Sequence, residues 1–82
     1  MNVTIDTASR EEAEIIAALL PHEAEARSVR GYGFIRLRCR SAAETQRVLD
    51  AVGAGAELHR FSWIRVRWED EERVFRQGRP CF

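Results

Sequence analysis

At 82 residues and 9.4 kDa the chain has room for one small domain. An apolar fraction of 45% excludes wholesale disorder, and no apolar run approaches the ~18 residues of a membrane span. Thirteen basic residues, all arginine, against thirteen acids exclude a uniformly basic coat. Met1-Asn2-Val3-Thr4 lacks the basic-then-apolar layout of a signal peptide, and two cysteines make no disulfide framework. A reducing, cytoplasmic setting is expected.

In chain order, Asn2–Asp6 alternates as a strand, with Val3 and Ile5 pointing one way and Thr4 the other. Ser9-Arg10-Glu11-Glu12 is a capping box, in which the Ser9 hydroxyl accepts from the Glu12 amide. Ala13, Ile16, Ala17 and Leu20 follow at helical spacing until Pro21 stops the run. A weak strand signal lies at Ala26–Val29, then a strong one at Tyr32–Arg40. There Ile35, Leu37 and Cys39 share one face, and Tyr32, Phe34, Arg36, Arg38 and Arg40 share the other. Ser41-Ala42-Ala43-Glu44 is a second capping box; Val48, Leu49 and Val52 form its apolar stripe, and Gly53 suits a C-terminal cap. Ser62–Trp68 alternates Ile64, Val66 and Trp68 against Trp63, Arg65 and Arg67. The acidic turn Glu69–Glu72 then leads to a weaker strand at Arg73–Arg76. Residues 77–82 read as a loose tail of this single domain.

A shift of 32 positions superposes Val3 on Ile35, Ile5 on Leu37, Ser9 on Ser41 and Glu12 on Glu44, so strand, capping box and helix recur in register. Two such halves predict an α+β, ferredoxin-like split βαβ sandwich, an antiparallel sheet with two helices on one face and a C-terminal hairpin. The expected core is Val3, Ile5, Ile16, Leu20, Ile35, Leu37, Val48, Val52, Ile64 and Val66.

Charge is segregated along this pattern. Residues 1–26 hold Arg10 against six acids, whereas residues 27–40 hold five arginines and no acid. The open sheet face should carry Tyr32, Phe34, Arg36, Arg38, Trp63, Arg65 and Arg67, rings interleaved with guanidinium groups. Single-stranded nucleic acid needs this combination: bases stack on π faces, and phosphates accept paired hydrogen bonds from arginine.

Arg30-Gly31-Tyr32-Gly33-Phe34-Ile35-Arg36-Leu37 resembles the RNP1 octamer of the RNA recognition motif family, and seven of its eight positions agree. The resemblance implies that Tyr32 and Phe34 stack bases and that Arg30 contacts backbone phosphate. It does not extend to the family's RNP2 element, where Thr4 stands in place of a stacking ring. Arg30-Gly31 also suits a tight hairpin turn.

Protein-contact readings stand beside this one. The arginines can pair with acids on neighbouring strands, and Tyr32, Phe34 and Trp63 can pack under residues 77–82 or form a homodimer seam. A different class of function is a phage-type, anti-CRISPR-like inhibitor that binds a nucleic-acid-handling protein through Glu69, Asp70, Glu71 and Glu72. A bare aromatic–arginine face favours nucleic acid, and a stripe of acids favours the inhibitor. Enzymatic chemistry has no motif. His22, Cys39, His59 and Cys81 show no metal-ligand spacing, so neither metal nor cofactor is expected. Cys39 reads as a core filler and Cys81 as an exposed thiol.

Overall fold

Two serine caps fix the helices. Ser9 and Ser41 hold extended backbone, and their hydroxyls accept from the amides of Glu12 and Glu44 at 3.3 and 3.2 Å. In the computed structural model, which describes residues 1–77 and 79–81, they open α1 (Arg10–Leu19) and α2 (Ala42–His59). The described residues also form six strands: β1 (Asn2–Thr7), β2 (Ala26–Val29), β3 (Tyr32–Arg38), β4 (Trp63–Trp68), β5 (Glu71–Arg76) and β6 (Arg79–Cys81). They form one antiparallel sheet in the order β2-β3-β1-β4-β5-β6. No helix among the described residues is long and apolar enough to cross a membrane.

Alternation along the strands decides which residues meet the helices. Ile5 is in register with Ile35 on one side and Val66 on the other, and Thr7 with Gly33 and Ile64. The side chains of Ile5, Ile35, Ile64 and Val66 pack with Ala13 and Ile16 of α1 and with Val48, Leu49, Val52 and Ala56 of α2 in one core. Nine of the ten expected core residues are buried; Leu37, near the end of β3, is only half-buried against them. Gly33 has a steric reason to be glycine. A Cβ there would collide with the Ser9 carbonyl and the Thr7 hydroxyl, which are themselves joined by a 2.6 Å hydrogen bond.

Three expectations about boundaries need correcting. The second helix does not stop at Gly53 but runs to His59, where Arg60 takes the left-handed conformation (φ 50°) and its N–H donates to the Ala56 carbonyl. Its glycines serve packing: a Cβ on Gly55 would lie 2.8 Å from Leu19 Cδ1 and 3.1 Å from Ile16 Cδ1, so glycine lets the two helices approach. The stretch Glu69–Glu72 is not one turn. Trp68 pairs with Glu71, which leaves only Glu69 (φ 50°) and Asp70 in the bend. Within the expected loose tail, Arg79–Cys81 pairs with Val74–Arg76 as β6, and Gln77 supplies a positive φ of 51° in the connecting turn. Cys39 is fully buried and free. The expected exposure of the Cys81 thiol concerns a side chain outside those described.

Candidate nucleic-acid interface

The sheet face away from the helices carries the other half of every alternation. One row across it reads Arg27, Phe34, Asp6, Arg65 and Val74, and the next reads Arg36, Thr4, Arg67 and Glu72. Toward one end lie Val29 with Tyr32 on the β2–β3 side and Trp63 with Arg76 on the β4–β5 side. Arg38 pairs with Asn2 at the opposite end. The face therefore brings together seven of the eight candidate nucleic-acid residues. Arg30 lies apart, in the two-residue turn between β2 and β3, where Arg30 (φ 52°) and Gly31 (φ 86°) both take the left-handed region.

The length of β1 shapes a notch in this face. Pairing of β1 ends at Thr7, opposite Gly33 and Ile64, so no β1 residue stands between Tyr32 and Trp63. Their strands are separated by roughly twice the ~4.8 Å strand spacing. The two rings lean across the gap until their centroids are 6.1 Å apart, tilted by 50°. Tyr32 is 57% exposed and Trp63 half-buried. With Phe34, Val29 and Val74 they line an open concavity of about 620 Å³, edged by Arg65 and Arg76 and by the acids Asp6 and Glu72. A base sandwiched between two parallel rings needs about twice the 3.4 Å stacking rise. Rings already in tilted contact at 6.1 Å instead offer their outer faces.

Charge on the face is arranged, not uniform. Asp6 was not among the residues singled out from sequence, yet it sits between β3 and β4 and binds two arginines at once. Its Oδ2 accepts from Arg65 Nε and Nη2 at 3.2 and 3.1 Å and from Arg67 Nη2 at 2.9 Å. Arg65 Nε also lies 3.7 Å from Glu72 Oε1. The Arg36 guanidinium stands over the Phe34 ring, 5.6 Å from its centroid. Among the described residues no acid is in ion-pair range of Arg30, Arg36, Arg38 or Arg76. The alternation of β1 already placed Asp6 two positions from Thr4 on this face, and that was the signal available in the sequence.

The other sequence candidates are dispersed. Glu69 and Asp70 occupy the turn, Glu72 joins the open face beside Arg65, and Glu71 is in register with Trp68 on the helix-bearing face. The four acids thus form no stripe. Residues 79–81 extend the sheet at its edge through β5 and do not lie over Tyr32, Phe34 or Trp63. His59 stacks on Phe61 with centroids 5.3 Å apart.

On the helix side, His22, Cys39 and Glu44 come together from three separate segments. The Arg40 N–H donates to Glu44 Oε2 at 2.6 Å, and this bond is the main reason that the Glu44 carboxyl titrates below its ordinary value. Glu12, in the other capping box, shifts upward because burial disfavours its charged form.

No protein-family model, curated protein or solved structure matches this chain.

Proposed function

We propose that the chain is a non-enzymatic, ferredoxin-like module whose open sheet face binds single-stranded RNA. The split βαβ reading is supported by β3 lying between β1 and β2 and by β4 flanking β1 on its other side. The RNA reading rests chiefly on one observation: Tyr32, Phe34 and Trp63 share an open concavity on a face that no other described element covers, with Arg65 and Arg76 beside Asp6 and Glu72 at its edge and Arg36 and Arg38 farther along the same face. In this reading one base stacks on Phe34, and others use the outer faces of Tyr32 and Trp63. Arg36, Arg38 and Arg76 meet the phosphates, and Arg30 reaches the strand from its turn. Thr4, between Arg36 and Arg67, provides no ring, so the platform is smaller than that of the RNA recognition motif and its affinity modest.

The test is titration of a labelled single-stranded RNA oligomer, with a DNA oligomer of the same sequence beside it. Phe34→Ala and Tyr32→Ala should each lose about 1–3 kcal/mol of binding while the fold persists. Arg38→Ala should make the salt dependence shallower, since fewer counterions are released. Replacing Glu69 and Asp70 by alanine should leave binding intact. Wild-type protein that binds no oligomer at about 50 mM salt would show the reading to be wrong. Loss of binding to a protein target on changing Glu69 and Asp70 would favour the inhibitor class instead.

A further inference from the structure

We propose that His22, Cys39 and Glu44 form a zinc(II) site, with His22 Nε2, Cys39 Sγ and a Glu44 carboxylate oxygen as its three protein ligands. The proposal is independent of the open sheet face. His22 follows α1, Cys39 follows β3 and Glu44 lies in the first turn of α2, yet their donor atoms all fall within 4.8 Å of one another. Zinc bonds of about 2.0–2.3 Å in a tetrahedron set neighbouring donors about 3.3–3.8 Å apart. The His22 Nε2 to Glu44 Oε2 separation is 3.8 Å, a few tenths of an ångström longer than the nitrogen–oxygen edge, and the remaining donors, all within 4.8 Å, need to close by about 1.5 Å or less.

A second observation points to the same place. His22 Nε2 is buried and has no hydrogen-bond partner among the described residues, although Glu44 is its neighbour. At 3.8 Å the pair is too long for a hydrogen bond. A buried ring nitrogen without a partner is costly, and a cation between it and the carboxylate satisfies both. Glu44 is also held in position. The Arg40 N–H bonds one carboxylate oxygen, an outer-shell contact that orients the group.

The donor chemistry selects the metal. One thiolate and one carboxylate supply two negative charges and the imidazole none, so Zn²⁺ brings the site to neutrality. Sulfur and nitrogen donors disfavour calcium and magnesium, which take oxygen. On binding, the Cys39 thiol proton leaves to solvent as the Zn–S bond forms. Cys39 is enclosed, whereas the side chains of His22 and Glu44 are 30% and 24% exposed, so the fourth position faces outward and takes a water. The ion would tie the α1–β2 connection to the β3–α2 corner.

The experiment is a titration of the reduced full chain with Co²⁺, followed spectroscopically, and with Zn²⁺, followed by calorimetry and thermal melting. One equivalent of Co²⁺ should give a thiolate-to-metal charge-transfer band with four-coordinate visible absorption, displaced by Zn²⁺, and Zn²⁺ should raise Tm. His22→Ala and Glu44→Gln should each weaken binding at least about tenfold. Cys39→Ser should abolish the charge-transfer band; circular dichroism checks its fold, and the partly exposed His22 carries the test if that variant unfolds. His59→Ala and Cys81→Ser should leave the band unchanged. Absence of the band, its survival in His22→Ala, or its loss in Cys81→Ser would each overturn the proposal.

Discussion

Asp6→Asn separates two roles that the open face assigns to its arginines. One carboxylate oxygen of Asp6 accepts three hydrogen bonds from Arg65 and Arg67, whose side chains are 42% and 49% exposed. Partly exposed pairs of this kind are screened by water, and losing both should cost about 1 kcal/mol of stability, read as a lower urea midpoint. Binding should move the other way. With the Asp6 charge gone, Arg67 is released and Arg65 keeps only its longer contact with Glu72, so both can turn to phosphate, and each new phosphate contact on a single strand steepens the log–log salt slope by about 0.7. Over a fourfold rise in salt that is about 2.6-fold of extra weakening per contact, and about sevenfold for both. The assay is RNA titration at several salt concentrations on protein checked for folding. Tighter binding at low salt with a steeper slope is the expected result. An unchanged slope with lower stability would mean that Arg65 and Arg67 do not touch RNA. Weaker binding by a folded variant would mean that Asp6 holds the arginines in place for the ligand and does not compete with it.

Gly33→Ala should destabilise the domain by about 2–3 kcal/mol, because the new Cβ meets a backbone carbonyl and a bonded hydroxyl that cannot swing aside; an unchanged urea midpoint would refute this. Ile35→Ala, fully buried, should cost about 2–5 kcal/mol, and Leu37→Ala less because its side chain is only half-buried; equal losses would contradict the packing described. Glu44 has a depressed carboxyl, so its contribution is present above its ordinary value of 4.5 and is lost as pH falls through the lower folded value. Glu12 is raised and works in the opposite sense, its penalty relieved as pH falls. Urea midpoints from neutral to acid pH should therefore fall less steeply in Glu44→Gln and more steeply in Glu12→Gln than in wild type.

What was legible in the sequence was local. The serine caps, the alternation of β3 and β4 and the helical stripe from Ala13 to Leu20 depend on neighbours within a few residues. The end of α2 was not legible. Gly53 looks like a stop signal only until Gly55 is seen facing Ile16 and Leu19, residues of another helix. The Asp6 clamp and the convergence of His22, Cys39 and Glu44 were hidden for the same reason, since no spacing rule links residues brought together by sheet pairing or by the docking of helices on the sheet. The rings of Tyr32, Phe34 and Trp63 were recognisable as one face, but the notch that joins Tyr32 to Trp63 follows from where β1 ends.

The position of β1 also governs how the domain assembles in time. It lies between β3 and β4, and Met1 exchanges two backbone hydrogen bonds with Cys39, at 3.0 and 2.8 Å. β1 thus waits for both of its neighbours, which follow it in the chain, and the second of them comes only after the whole of α2. Each pairing closes a long loop before any ladder contact compensates the lost chain entropy. Folding should accordingly be slow for a chain of this size, with the helices and the β4–β5 hairpin forming early and the central strand zipping in last.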